Sequence, residues 1–253
     1  MIKWGKLLTR GKAIYLAYDQ GLEHGPETDF NDRNIDPLHV LGIARKGKFN
    51  GVVYHKGIVE KYQKEIRKSG VPLIFKLNGR TKLSAGEPIS AQIATVREAL
   101  NMGARAVGFT IYIGSGYESK MIEQFEQIQR EAHKENIPVI AWIYPRGGKV
   151  KNDVSREMLS YAARVGLEIG ADMVKIKYGG NWKDLQWAVK TAGRTRVVVA
   201  GGTKKEGDEF LNDVREIMKA GASGLAVGRN VWQSEKPLEI ARKIREVVFA
   251  GKI

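Results

Sequence analysis

Eight short runs rich in Val, Ile and Ala recur along the chain, and this alternation restricts the fold more than any other feature. The runs are AIYLAYD (13–19), GVVYHK (51–56), PLIFKLN (72–78), ARAVGFTIY (104–112), IPVIAWIY (137–144), ADMVKIKY (171–178), TRVVVAGG (195–202) and SGLAVGR (223–229). Each has the length and composition of a buried strand. The segments between them carry helical spacing: Met121, Phe125, Ile128 and Ala132 step by three or four, as do Met158, Ala162, Val165 and Ile169. Asp153 is expected to cap the second of these helices, while Gly103, Gly170 and Gly221 sit where a left-handed C-cap belongs. Strands separated by helices form a parallel sheet, because parallel neighbours need a crossover. Eight such units predict an α/β fold of the closed TIM (β/α)8 type, a single domain over residues 1–253, with an open doubly wound sheet as the alternative.

In such a barrel, polar groups at the carboxyl ends of different strands converge on one cleft. The sixth run is the most informative there. Side-chain alternation puts Met173, Lys175 and Lys177 on one face and Val174, Ile176 and Tyr178 on the other. An ammonium on a buried face is costly unless paired or neutralised, so these amines either reach a wet cleft or titrate below the usual lysine range. The alternative is an edge strand with both lysines solvated. A neutral amine can attack a carbonyl carbon and form an imine.

Asp19, Trp142, Tyr144 and Arg146 fall at other strand ends. Tyr144, near cationic Lys or Arg, is expected to release its proton more easily and so to shuttle protons. Asp19 can hold a lysine or a substrate hydroxyl. Taken singly, Tyr144 also reads as a core tyrosine, Asp19 as a turn former before Gly21, and Arg146 as a loop charge; it is their common address that points to a site. Runs seven and eight end in AGGTKKEG and VGRNVW, where barrels of this type bind phosphate. Gly201, Gly202 and Gly228 would let an anion approach the backbone, and Arg229 supplies forked donors. GSGYES (114–119) is a weaker glycine motif. The longest irregular stretches, HGPETDFNDRNIDP and NGRTKLSAGEP, follow the first and third runs.

Several chemistries are disfavoured. No cysteine is present, which excludes disulfides, thiolate metal sites and a cysteine nucleophile. His24, His39, His55 and His133 are widely separated and lack metal-site spacing, His133 reading as a surface residue, so no metal is expected. Without a GxGxxG fingerprint or a P-loop, no nucleotide cofactor is expected either. The net charge of +14 raises nucleic-acid binding. Its cations are interspersed with acids, as in KYQKEIRKSG, and fit instead a positive field that attracts small anionic substrates. The amino-terminal segment has no apolar signal region, and no run approaches the ~20 apolar residues of a membrane span, so a cytoplasmic protein without membrane partners is expected.

The motifs YDQGLEHGP, WIYPRGG, MVKIKYGG, AGG and VGRNVW, in this order across nearly the whole chain, resemble those of the archaeal-type class I fructose-bisphosphate aldolases of the DhnA group. The resemblance implies a TIM barrel, an imine-forming lysine on the sixth strand, and reversible cleavage of fructose 1,6-bisphosphate to dihydroxyacetone phosphate and glyceraldehyde 3-phosphate without a cofactor. It places the imine on Lys175, the family's tyrosine on Tyr144, its aspartate on Asp19 and its tryptophan on Trp142. Phosphate contacts fall near Gly201, Gly202, Gly228 and Arg229, with Lys177 and Arg146 expected to keep Lys175 partly neutral. One departure is Gln20, where many members carry histidine; this takes a titrating role from that position and leaves Asp19. The resemblance also implies a homo-oligomer, with a decamer of stacked rings as the expected form. Two competing readings are a related DhnA-type synthase of an aromatic amino-acid precursor and a non-catalytic phosphate- or nucleic-acid-binding protein.

Overall fold

The computed structural model describes residues 2–23, 30–202, 204–205 and 207–250. Its core is eight strands: β1 (Ala13–Ala17), β2 (Gly51–His55), β3 (Leu73–Lys76), β4 (Ala104–Ile113), β5 (Val139–Pro145), β6 (Met173–Ile176), β7 (Arg196–Ala200) and β8 (Gly224–Val227). Each pairs in parallel with the next, and β8 pairs with β1 to close the barrel. Closure excludes the open doubly wound alternative. All eight predicted runs are strands, but six extend past the observed carboxyl end. The surplus residues leave the ladder and turn over the barrel mouth.

Alternation along the strands builds two cores. Val52, Phe75, Val107, Val174 and Val199 face outward and pack against helices. Ala13, Tyr15, Val53, Ile74, Ala106, Ile140, Trp142, Met173, Val198 and Ala226 fill the interior. Leu7, on a short 3-10 turn (Gly5–Leu7), joins the interior set and accepts a hydrogen bond from the Tyr15 hydroxyl at 3.0 Å. Lys3 bonds to the Asn136 carbonyl just ahead of β5, so this segment covers the amino-terminal end of the barrel. The opposite end carries the site.

The helix Arg156–Glu168 shows how β6 is set. A Cβ on Gly166 would lie 1.9 Å from Val174 Cγ1, so only glycine lets this helix press onto the strand that bears Lys175. Close approach also rotates the buried stripe: Leu159, Ala162, Ala163 and Gly166 are buried, while Met158, Val165 and Ile169 are only partly covered. The helix Glu118–Lys134 buries its expected Met121, Phe125, Ile128 and Ala132. Gly103, Gly170 and Gly221 all have the positive φ expected of them.

Two expectations are corrected. Asp153 does not cap the helix it precedes; Ser155 does, accepting from the Met158 N–H, because the cap position directly abuts Arg156. His133 is not a plain surface residue. Its Nε2 lies 2.9 Å from Asp172 Oδ2, which also accepts from the Val139 N–H, tying a helix end to the foot of the sheet. The loop after β3 adds an antiparallel pair, Asn78–Gly79 with Ala91–Gln92, too short to show in the hydrophobic pattern. The first part of the other irregular stretch, residues 24–29 with His24, lies outside the described residues.

Candidate active site

Lys175 is the third residue of β6. It faces inward beside Met173, while Val174 and Ile176 join the outer core. Since β6 is paired on both sides and Lys175 is 6% exposed, the solvated edge-strand reading fails. Burial pushes the Lys175 ammonium below the usual lysine range. Asp19 opposes that shift, Lys76 adds to it, and Glu23 opposes it again.

This corrects the expected source of the shift. Lys177 lies beyond the strand and makes an ion pair with Asp153, the carboxylate freed by the Ser155 cap. Arg146 sits over aromatic rings, 4.9 Å from the Tyr112 centroid and 5.8 Å from that of Tyr144. The cation that acts on Lys175 is Lys76, at the end of β3 and wholly buried. Its Nζ lies 3.0 Å from Glu23 Oε1 and 3.2 Å from the Asn78 carbonyl. Asn78 is in turn held by Ser90 and by both backbone groups of Thr110.

Trp142 organises this layer. In register it stands beside Thr110 on one side and Lys175 on the other. Its indole crosses Gly108, where a Cβ would lie 2.1 Å from the ring. Lys175 Nζ is 5.2 Å and Lys76 Nζ 5.4 Å from the ring centroid, within cation–π range. Two lysine amino groups therefore share one aromatic ring.

Tyr144 shares the Trp142 face, as expected from their spacing. Its titration runs opposite to expectation. Burial, then Asp19 and Glu23, hold its phenol well above the usual range, and Arg146 pulls the other way without prevailing. Tyr144 is thus kept in its protonated form rather than as a phenolate. Asp19 lies two residues past β1, ahead of the short helix Gln20–Glu23, and is 9% exposed. Its carbonyl oxygen is 3.2 Å from His55 Nε2 at the end of β2. Tyr112 donates to Glu23 Oε2 at 3.0 Å, which fixes the carboxylate already paired with Lys76.

The loops after β7 and β8 are joined. Asn230 donates to the Gly201 carbonyl at 2.7 Å and accepts from the Lys205 N–H at 2.7 Å. The Gly201 N–H is bonded to the Ala226 carbonyl and is taken up there, while Gly202 has φ +70°. Gly228 packs closely: a Cβ there would lie 3.1 Å from the Ala17 carbonyl oxygen, which also accepts from Trp232 Nε1. Arg229 Nη2 is 3.5 Å from the Gly202 carbonyl. Of the motif AGGTKKEG, Thr203 and Glu206 lie outside the described residues.

These groups enclose a cavity of about 590 Å³ at the carboxyl end of the barrel. Asp19, Trp142, Tyr144, Arg146, Lys175, Lys177, Gly201, Gly202, Gly228 and Arg229 all line it. So do Glu23, Lys76, Thr110 and Lys205, which the sequence reading did not single out. Lys76 carried the same signal as Lys175, a lysine inside an apolar strand with inward parity to Ile74. The other three offered no pattern. A second cavity, of about 540 Å³, lies outside the barrel between the helices Gly207–Lys219 and Pro237–Phe249 and includes none of these groups. Among the described residues, no cluster of three His, Asp or Glu side chains is placed to hold a metal ion, and no helix is long and apolar enough to cross a membrane.

The model of the DeoC/LacD family of aldolases matches residues 13–234. The chain is 51% identical to the class 1 fructose-bisphosphate aldolase of Thermoproteus tenax, over 96% of this chain and 92% of that protein. It is 45% identical to the enzyme of the same name from Halobacterium salinarum, over 94% and 91% of the two chains. A solved archaeal fructose-1,6-bisphosphate aldolase, with its catalytic lysine covalently bound to the carbinolamine intermediate of the substrate, superposes with a TM-score of 0.92 at 47% identity, covering 97% of this chain and 98% of that one.

Proposed function

Because the chain belongs to the DeoC/LacD family of aldolases, we propose that it is a class I, Schiff-base fructose-1,6-bisphosphate aldolase. One observation carries the reading. A buried amine, depressed in basicity, shares a strand-end cavity with a phenol held protonated and a carboxylate. The names of the relatives from Thermoproteus tenax and Halobacterium salinarum supply the substrate.

In this reading, neutral Lys175 attacks the C2 ketone and forms a carbinolamine. Tyr144 donates the proton with which its hydroxyl leaves as water, giving a protonated imine. Asp19 accepts the C4 hydroxyl proton as the C3–C4 bond breaks, and the bond's electrons pass into the imine as an enamine. Glyceraldehyde 3-phosphate departs, C3 takes from Asp19 the proton it had accepted, and addition of water to the imine returns a proton to Tyr144 and frees dihydroxyacetone phosphate and the amine. The imine is the electron sink, so these steps call for no metal or other cofactor. Trp142 packs against the reacting amine. A substrate with a phosphate at each end needs two anion grips. Gly202, Gly228 and Arg229 would serve one, with Gly201 leaving room beside them rather than donating; Arg146 and Lys177, on the β5–β6 side, would serve the other.

The same reading carries a cytoplasmic homo-oligomer that binds a phosphorylated sugar and no nucleic acid or membrane. Half-exposed Tyr161 and Trp187, on the helices Arg156–Glu168 and Trp182–Thr191, give such an assembly an apolar surface. The test is direct: the purified protein is given fructose 1,6-bisphosphate and both triose phosphates are assayed enzymatically. Their formation supports the proposal. Absence of both, while another keto sugar still labels Lys175, would reassign it to an aldolase of different substrate.

A further inference from the structure

Lys76 has no step in the chemistry above, yet it occupies a costly position. A fully buried ammonium requires a partner and hydrogen bonds, and an apolar residue of similar volume would fill the site without them. Here the partner is Glu23, itself fixed by Tyr112, and the second bond goes to the Asn78 carbonyl. The amine so anchored lies over the same indole as Lys175, which places the two nitrogens no more than about 11 Å apart across low-dielectric surroundings. We propose that Lys76 is a positioning residue for the imine-forming amine: clamped by Glu23 and Asn78, it lays a fixed positive charge beside the Trp142 ring, and the repulsion this exerts keeps Lys175 available as a nucleophile. Glu23 sets the strength of that charge and opposes it.

This rests on the imine-forming role of Lys175. Other titratable or charged groups surround the same cavity and must be held constant. They are Asp19 after β1, His55 on β2, Tyr112 on β4, Tyr144 and Arg146 on β5, Lys177 after β6 and Arg229 after β8. β7 brings Arg196 on its inward parity, but at the amino-terminal end of the strand over Trp4, and it is not among the groups that shift Lys175. Of these groups Asp19 acts on Lys175, together with Lys76 and Glu23; Asp19 and Glu23 act in the direction opposite to Lys76.

The test is the pH profile of imine formation, read by borohydride trapping of dihydroxyacetone phosphate on the intact enzyme with mass spectrometry of the labelled peptide. In Lys76→Met the acid limb should move to higher pH by about one unit, the size of a unit charge at this separation in an effective dielectric of about 20. Lys76→Arg, which keeps the charge, should move it back. A limb unmoved in Lys76→Met, with the label still on Lys175, overturns the proposal. If Lys76→Met does not fold, Glu23→Gln decides: a limb moved to lower pH supports the proposal, and one unmoved or raised overturns it. Failure of the parent enzyme to label Lys175 would instead count against the imine reading.

Discussion

Burial shifts Lys175 and Tyr144 each toward its neutral form, and this has consequences for stability as well as chemistry. Lys175 titrates below the ordinary lysine value of 10.5, so between its folded value and 10.5 the unfolded chain binds more protons than the folded one. Stability therefore rises with pH across that window, and the full penalty is present below it. Lys175→Met removes the penalty. The variant should lack activity yet fold with stability equal to or above the parent's at neutral pH, the gap closing as pH approaches 10.5; denaturant titrations at several pH values measure this. Tyr144→Phe removes a donor without emptying the site. Turnover should fall roughly 10²- to 10³-fold while the adduct on Lys175 still forms, and near-normal turnover would refute the donor role.

At the level of elements, the approach of the helix Arg156–Glu168 to β6 sets the strand that carries Lys175 into the cavity, and that helix begins at Ser155. Ser155→Ala should cost about 1 kcal/mol in a denaturant midpoint, whereas Asp153→Asn should leave stability nearly unchanged and free Lys177. The reverse order would restore Asp153 as the cap. Both residues are plausible caps in SREML and its approach, because several polar residues precede Arg156 and only the backbone conformation selects among them. The eight strands were legible for the opposite reason. Runs such as TRVVVA have no other stable use, and a closed parallel sheet is the arrangement that buries all of them. The pair Asn78–Gly79 and Ala91–Gln92 left no such trace, being defined by the Asn78 side chain rather than by buried area.

Over the whole molecule, the positions of the site residues follow from topology, while their electrostatics do not. Parity and strand number were enough to bring Asp19, Trp142, Tyr144 and Lys175 to one cavity. Which charge faces which depended on pairings between distant segments, Lys76 with Glu23 and Lys177 with Asp153, and these no local pattern records. Burial also shapes the alkaline limit of the fold. The phenols of Tyr15, Tyr54, Tyr112 and Tyr144 all titrate above the ordinary value of 10.0, so above pH 10 the unfolded chain releases protons that the folded one keeps. Stability should therefore fall as pH rises past 10, and thermal melts on either side of that value test it. The most direct test of the central claim is borohydride reduction of the intact protein with fructose 1,6-bisphosphate, followed by peptide mapping. A reduced triose phosphate or hexose bisphosphate adduct on Lys175 is the predicted result; an adduct on Lys76 or Lys177, or unimpaired cleavage with no adduct anywhere, would contradict it.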